Sequence, residues 1–120
     1  MPAKPKICID FVGCLYIASP EDSGFGNLQG HLIDGAKEAM ERLSKSFAVV
    51  ILSARARRAE GAEAIRKILK ENSVPFEEVT DKKPPAVVYV DDYGIQFKGD
   101  WKATLKDILH FKHWHTKKEK

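Results

Sequence analysis

The chain has no long apolar run. Its longest hydrophobic stretches are five or six residues, such as 48–52, against the ~18–20 that a membrane-spanning helix requires. The basic N-terminus, Met-Pro-Ala-Lys-Pro-Lys, leads into a short apolar stretch that Asp10 interrupts, so no secretory leader and no membrane partner are expected. Only two cysteines are present, Cys8 and Cys14. They are too few for a disulfide framework, and a reducing, cytoplasmic setting is expected. A marked excess of charge is also missing: 20 basic against 17 acidic residues give a formal +3. That balance admits a nucleic-acid partner but does not favour one. Internal repeats, low-complexity tracts and linker-like segments are absent. What is left is a single globular domain, since 120 residues at 43% hydrophobic suit one domain of roughly 100–150 residues.

Short apolar runs alternate with helical periodicity along the chain. Residues 7–11 predict a buried strand, in which Cys8 is core, ending in Asp10-Phe11-Val12-Gly13. Residues 19–30 predict a loop, being rich in turn formers such as Pro20, Gly24, Asn27 and Gly30. Asp34 suits the N-cap of a helix over 35–46, with Ala36, Ala39, Met40 and Leu43 on one face. Residues 48–52 form a second strand, followed at once by Ser53. A helix over 59–71 turns Ala62, Ile65, Ile68 and Leu69 inward and ends before Pro75. A short strand is expected near 76–79, then a turn at Lys82-Lys83-Pro84-Pro85, which cannot continue a helix. Residues 86–90 predict a third buried strand ending in Asp91-Asp92. Trp101, Leu105, Ile108 and Leu109 mark a last helix anchored by Trp101, and residues 112–120 read as a basic, flexible tail. Strands without period-2 alternation, separated by helices, indicate a parallel sheet. The expected fold is α/β: one Rossmann-like, three-layer domain with a mostly parallel sheet covered by helices on both faces.

Right-handed crossovers bring the carboxyl ends of parallel strands to one rim. Here that rim carries Asp10, Ser53, Asp91 and Asp92. Two carboxylates 4 Å apart repel by about 4 kcal/mol at an effective dielectric near 20, so either a cation balances them or one stays protonated. A hard divalent ion on oxygen ligands, most simply Mg²⁺, answers this and commonly brings a phosphate with it. Lys82 or Lys83 would neutralise remaining charge. The Ser53 hydroxyl and free backbone N–H groups after Asp10, as at Gly13, would hold phosphate oxygens. Arg55, following Ser53, is a candidate phosphate clamp. Each has a plainer role: Ser53 as a cap, Asp91-Asp92-Tyr93-Gly94 as a turn, Arg55 and the lysines as solvated charges. Tyr93 and Phe25 are candidates to flank an entrance.

Four segments together resemble the haloacid dehalogenase-like (HAD) superfamily. Ile7-Cys8-Ile9-Asp10-Phe11-Val12-Gly13-Cys14-Leu15 is similar to its first motif, hhhDxDGTL, and Val50-Ile51-Leu52-Ser53 to its second. Lys83-Pro84 resembles the third-motif lysine, and Val88-Tyr89-Val90-Asp91-Asp92 the acidic fourth motif. The order matches, and nearly the whole chain is covered. The resemblance implies a Mg²⁺-dependent hydrolase of phosphomonoesters. In it Asp10 is the nucleophile that becomes phosphorylated, Ser53 binds phosphate, and Lys83 steadies both. It also implies that Asp10, Asp92, with Asp91 beside it, and the Val12 backbone carbonyl hold the metal. The short 16–32 segment leaves no room for a cap domain. Such capless members act on exposed or larger phosphorylated groups, or take a lid from a partner subunit, so a homo-oligomer is compatible.

One position departs from the pattern. At Val12 HAD phosphatases carry the aspartate that protonates the leaving group and then activates water. Valine does neither, and general acid–base catalysis is worth roughly 10²–10⁴ in rate. A weak or inactive relative, a base supplied from elsewhere, and a variant of an active parent all fit; so does a phosphate-binding protein without turnover. Cys14 replaces the usual threonine. His110, His113, His115 and Trp114 match no ordinary zinc spacing and read as part of an exposed tail.

Overall fold

Apolar runs too short and too continuous for a helix form the middle of the molecule. A computed structural model describes residues 3–22, 24 and 27–115; Phe25 and residues 116–120 of the expected tail lie outside them. In chain order the elements are β1 (Lys6–Asp10), β2 (Tyr16–Ala18), β3 (Gly30–Leu32), α1 (Ala36–Leu43) and β4 (Ala48–Leu52). A 3-10 turn over Ala54–Arg57 follows, then α2 (Ala59–Glu71), β5 (Glu78–Thr80), β6 (Val88–Val90) and α3 (Trp101–Leu109). The architecture is α/β, with a four-stranded parallel sheet in the order β5-β4-β1-β6 and three helices. A two-stranded antiparallel pair, β2 with β3, stands apart from it.

Val49, Val50 and Ile51 of β4 are at most 1% exposed, as a central strand requires. Ala62, Ile65 and Leu69 of α2 recur at helical spacing and are buried, with Ile68 packed at their edge. Ala36 and Met40 do the same for α1, while Ala39 is exposed. Phe11 and Tyr16 stack in the same core with ring centroids 5.0 Å apart. The N-cap of α1 is Gly35 at φ 88, with no side-chain cap bond, so Asp34 does not play that part. The end of α2 is closed by Asn72, whose amide donates to the Ile68 carbonyl at 2.8 Å. No helix among the described residues is long and apolar enough to cross a membrane.

Three expectations are corrected. The loop expected over 19–30 holds except that Gly30 opens β3, and the pair of three-residue strands β2 and β3 that flanks it is not anticipated. The third strand is exposed rather than buried: Val88 and Val90 are 48% and 42% exposed. Trp101 anchors nothing in the core, being 63% exposed and in ring contact with Phe97 alone among the described aromatic residues. The first of these follows from turn formers masking short pairing segments. The exposure of β6 has a cause in the chain before it. Residues 81–87, between β5 and β6, hold Pro84-Pro85 and form no helix, so no crossover helix covers β6.

Candidate functional site

Register decides which side chains meet. Asp10 pairs with Leu52 and Ile9 with Val90, so Asp10, Ser53 and Asp91 stand at neighbouring points on one rim. The ladder continues past the strands through Phe11 N–H to the Leu52 carbonyl and Ser53 N–H to the Thr80 carbonyl, both 3.0 Å. Asp91 is exposed, and its carboxylate accepts from the Tyr93 amide at 2.7 Å. That turn sends Asp92 the other way, inward, where its side chain is 4% exposed. Ligand atoms of Asp10, Cys14 and Asp92 all lie within 4.8 Å of one another. Gly13 makes the approach feasible: at φ +97, a Cβ there would sit 1.9 Å from Asp92 Oδ2.

The electrostatics reflect the crowding. Burial first, then a hydrogen bond with Asp92 and the charges of Asp92 and Asp91, push the Asp10 carboxyl up to about 7. Burial also penalises charge on Asp92, but hydrogen bonds from His113 and Asp10 outweigh it and hold Asp92 below its usual range. The shared proton therefore belongs on Asp10. Burial and the same carboxylates push the Cys14 thiol up to about 12, so it remains a neutral group with Sγ 3.8 Å from the Val90 carbonyl. Asp92 Oδ1 is buried and has no hydrogen-bond partner among the described residues. A buried carboxylate oxygen without a donor, beside a second carboxylate, is the setting a hard cation fits. Asp10 and Asp92 present carboxylate oxygens close enough together to hold one.

Residues 113–115 lie over this cluster: His113 and His115 are half-buried rather than in the exposed tail expected of them, whereas His110 and Trp114 are exposed as expected. His113 Nε2 lies 2.5 Å from Asp92 Oδ2, and Trp114 Nε1 donates to the Gly13 carbonyl at 2.8 Å. The Tyr93 ring lies against His113, centroids 4.4 Å apart. A cavity of about 350 Å³ is lined by Asp10, Val12, Asp92, Tyr93, His113 and His115 among others. Tyr93 thus flanks the opening. His113 and Trp114 are the functional candidates that the sequence hides. Their only signal is an unexplained His-Trp-His run in a segment without periodicity.

Other expected residues stand differently. Lys83 lines a groove of about 640 Å³ together with Asp10 and Asp91, its Nζ 4.4 Å from the Tyr89 ring centroid. Lys82 is exposed, its backbone N–H on the Thr80 hydroxyl. Ser53 is buried and its Oγ accepts from the Arg55 amide at 3.2 Å, capping the 3-10 turn. The Arg55 guanidinium is engaged with Asp22 at 2.6 Å and with the Gly24 carbonyl. It thus ties down the segment before β3 rather than facing the carboxylates. Burial works against the Asp22 charge, but the Gln29 and Gly24 amides and Arg55 outweigh it and lower its pKa. The turn after Asp10 uses its own donors, with Gly13 N–H on the Tyr16 carbonyl at 2.8 Å and Cys14, Leu15 and Tyr16 N–H on Phe11. Gly13 therefore shapes the site through its lack of a side chain rather than through a free N–H. Compared with protein-family models, with curated proteins and with solved structures, the chain matches none.

Proposed function

We propose that the chain is a Mg²⁺-dependent, HAD-like hydrolase of phosphomonoesters that works through an aspartyl-phosphate on Asp10. The reading includes a Rossmann-like domain and, with two free thiols, a cytoplasmic setting. The observation that carries it is the buried Asp92 carboxylate, with an unpartnered Oδ1, converging on Asp10 at the carboxyl edge of a parallel sheet. Asp10, Asp92 and the Val12 carbonyl would hold Mg²⁺, which when bound offsets the carboxylate charge and that of a phosphate. His113, bonded to Asp92 Oδ2, orients that carboxylate and leaves Oδ1 for the ion.

The remaining steps belong to the chain. An Asp10 oxygen attacks phosphorus and the bond to the leaving oxygen breaks; water later attacks the phosphorus, releasing phosphate and restoring Asp10. The Ser53 hydroxyl accepts from Arg55 N–H and still has its own proton to donate to a phosphate oxygen. Lys83 shares a groove with Asp10 and would supply positive charge on moving off the Tyr89 ring. Val12 supplies no proton, so the leaving group departs as an anion, and aryl phosphates are the best substrates. A second reading, a phosphate-binding protein with no turnover, is favoured by that same side chain.

The test is Mg²⁺-dependent phosphate release from aryl and alkyl phosphomonoesters by the chain and by Val12→Asp. Restoring the carboxylate is expected to raise turnover roughly 10²–10⁴-fold, most for alkyl esters. Release that survives Asp10→Asn unchanged would sink the hydrolase reading. Phosphate and Mg²⁺ binding without release from either chain would select the second one.

A further inference from the structure

The last helix is built to be covered. In α3, Trp101, Leu105 and Ile108 follow one another at i, i+4 and i+7, with Leu109 beside them, the stripe of a helix that buries one face. They are instead 63%, 54%, 49% and 79% exposed, and Thr104 is the one buried residue of the helix. A matching vacancy lies on the sheet. Val87, Val88, Val90 and Ile95, with Cys8 and Leu52, form the apolar part of the groove of about 640 Å³ beside β6, which Asp10, Lys83, Asp91 and Gln96 also line. Among the described residues, β6 pairs with β1 on one side and with no strand on the other. Among those residues, too, every large exposed hydrophobic lies between Val87 and Trp114. The N-terminal two thirds of the chain have a closed core, and the last third has an open one.

We propose that this face is an interface with a second copy of the chain, α3 of each copy seated in the groove beside β6 of the other. One chain carries both halves of the fit, a convex apolar helix and a groove whose β6 side is apolar, and a two-fold axis satisfies both at once. The area agrees. Nine large hydrophobics, residues 87–90 with Phe97, Trp101, Leu105, Ile108 and Leu109, are exposed on α3 and beside β6. At roughly 100 Å² each they present on the order of 1,000 Å², more than the ~300–600 Å² patch of an ordinary monomer and close to the ~800 Å² per partner of a standard interface. The groove is the one that Lys83 and Asp10 share, so a seated α3 would also border the proposed phosphate site, but association is read without Mg²⁺ or turnover and its failure is distinguishable from failure of the proposed function.

The experiment is sedimentation velocity over a dilution series in metal-free buffer, with hydrogen exchange on the same samples. A mass of twice 13.5 kDa is expected at tens of micromolar, with α3 amides protected. The double variant Leu105→Glu/Ile108→Glu is expected to halve the mass and leave the far-UV circular dichroism intact, because both side chains are exposed within one chain. Val88→Lys/Val90→Lys should do the same from the groove side. A monomer at every concentration overturns the proposal, and slow α3 exchange in that monomer would mean that the helix closes on its own groove. A dimer that survives either double variant also overturns it, because the contact then lies elsewhere.

Discussion

Asp10 and Asp92 stand close enough that one proton serves both, and that proton has a measurable consequence. Asp10 moves from its ordinary 3.8 up to about 7 in the folded chain, chiefly by burial and then by its bond to Asp92. Between those values the folded chain holds a proton that the unfolded chain has released. Folded stability in metal-free buffer therefore falls as pH rises through that window. Asp92 is shifted down, and its contribution has the opposite sign: it is present above the ordinary carboxylate range and is lost as pH falls below it. Between about pH 5 and 8 the Asp10 effect dominates. The melting temperature with a chelator present is expected to decline across that interval, and Asp10→Asn, neutral at every pH, to flatten the decline. Mg²⁺ should stabilise most at the high end, where no proton competes for the site. Parallel declines in the two proteins would refute the shared proton. The positions of Asp10, Asp91 and Asp92 are legible from sequence because each follows an apolar strand, and parallel strands end together. Which aspartate of the pair turns inward is settled by the Asp91–Tyr93 turn. His113 is not legible: it reaches Asp92 across 21 residues from a stretch whose composition resembles solvent-exposed chain.

Elements differ in how firmly the sequence dictates them. β4 and α2 occupy residues 48–52 and 59–71 as their patterns predict, since β4 is apolar throughout and α2 presents one clean face to the core. β6 has the same apolar composition and yet is exposed. Composition marks a strand as fit for burial without saying what covers it, and the double proline before β6 removes the helix that would. The contrast is measurable in dilute solution. Ile65→Ala, at a fully buried position of α2, is expected to cost about 2–5 kcal/mol of unfolding free energy. Leu105→Ala, on the exposed side of α3, is expected to stay within about 0.5 kcal/mol. Denaturant melts of both variants at the lowest workable concentration check this. Equal losses would mean that α3 is part of the core of the single chain.

At the scale of the whole molecule, an α/β sheet is stable when both faces are covered, and the single chain covers β6 poorly. A second copy supplying α3 would complete that layer and make folding and association parts of one equilibrium. Stability would then depend on protein concentration, because each tenfold rise adds about 1.4 kcal/mol per mole of dimer. For a chain of this size 1 kcal/mol moves the midpoint by roughly 2–8 °C, so an upward drift of a few degrees per decade of concentration is expected from calorimetry. Leu105→Glu/Ile108→Glu should melt at one temperature at every concentration. If the unaltered chain does the same, the exposed face is not a homodimer interface, and β6 is stable as the open edge of a monomer.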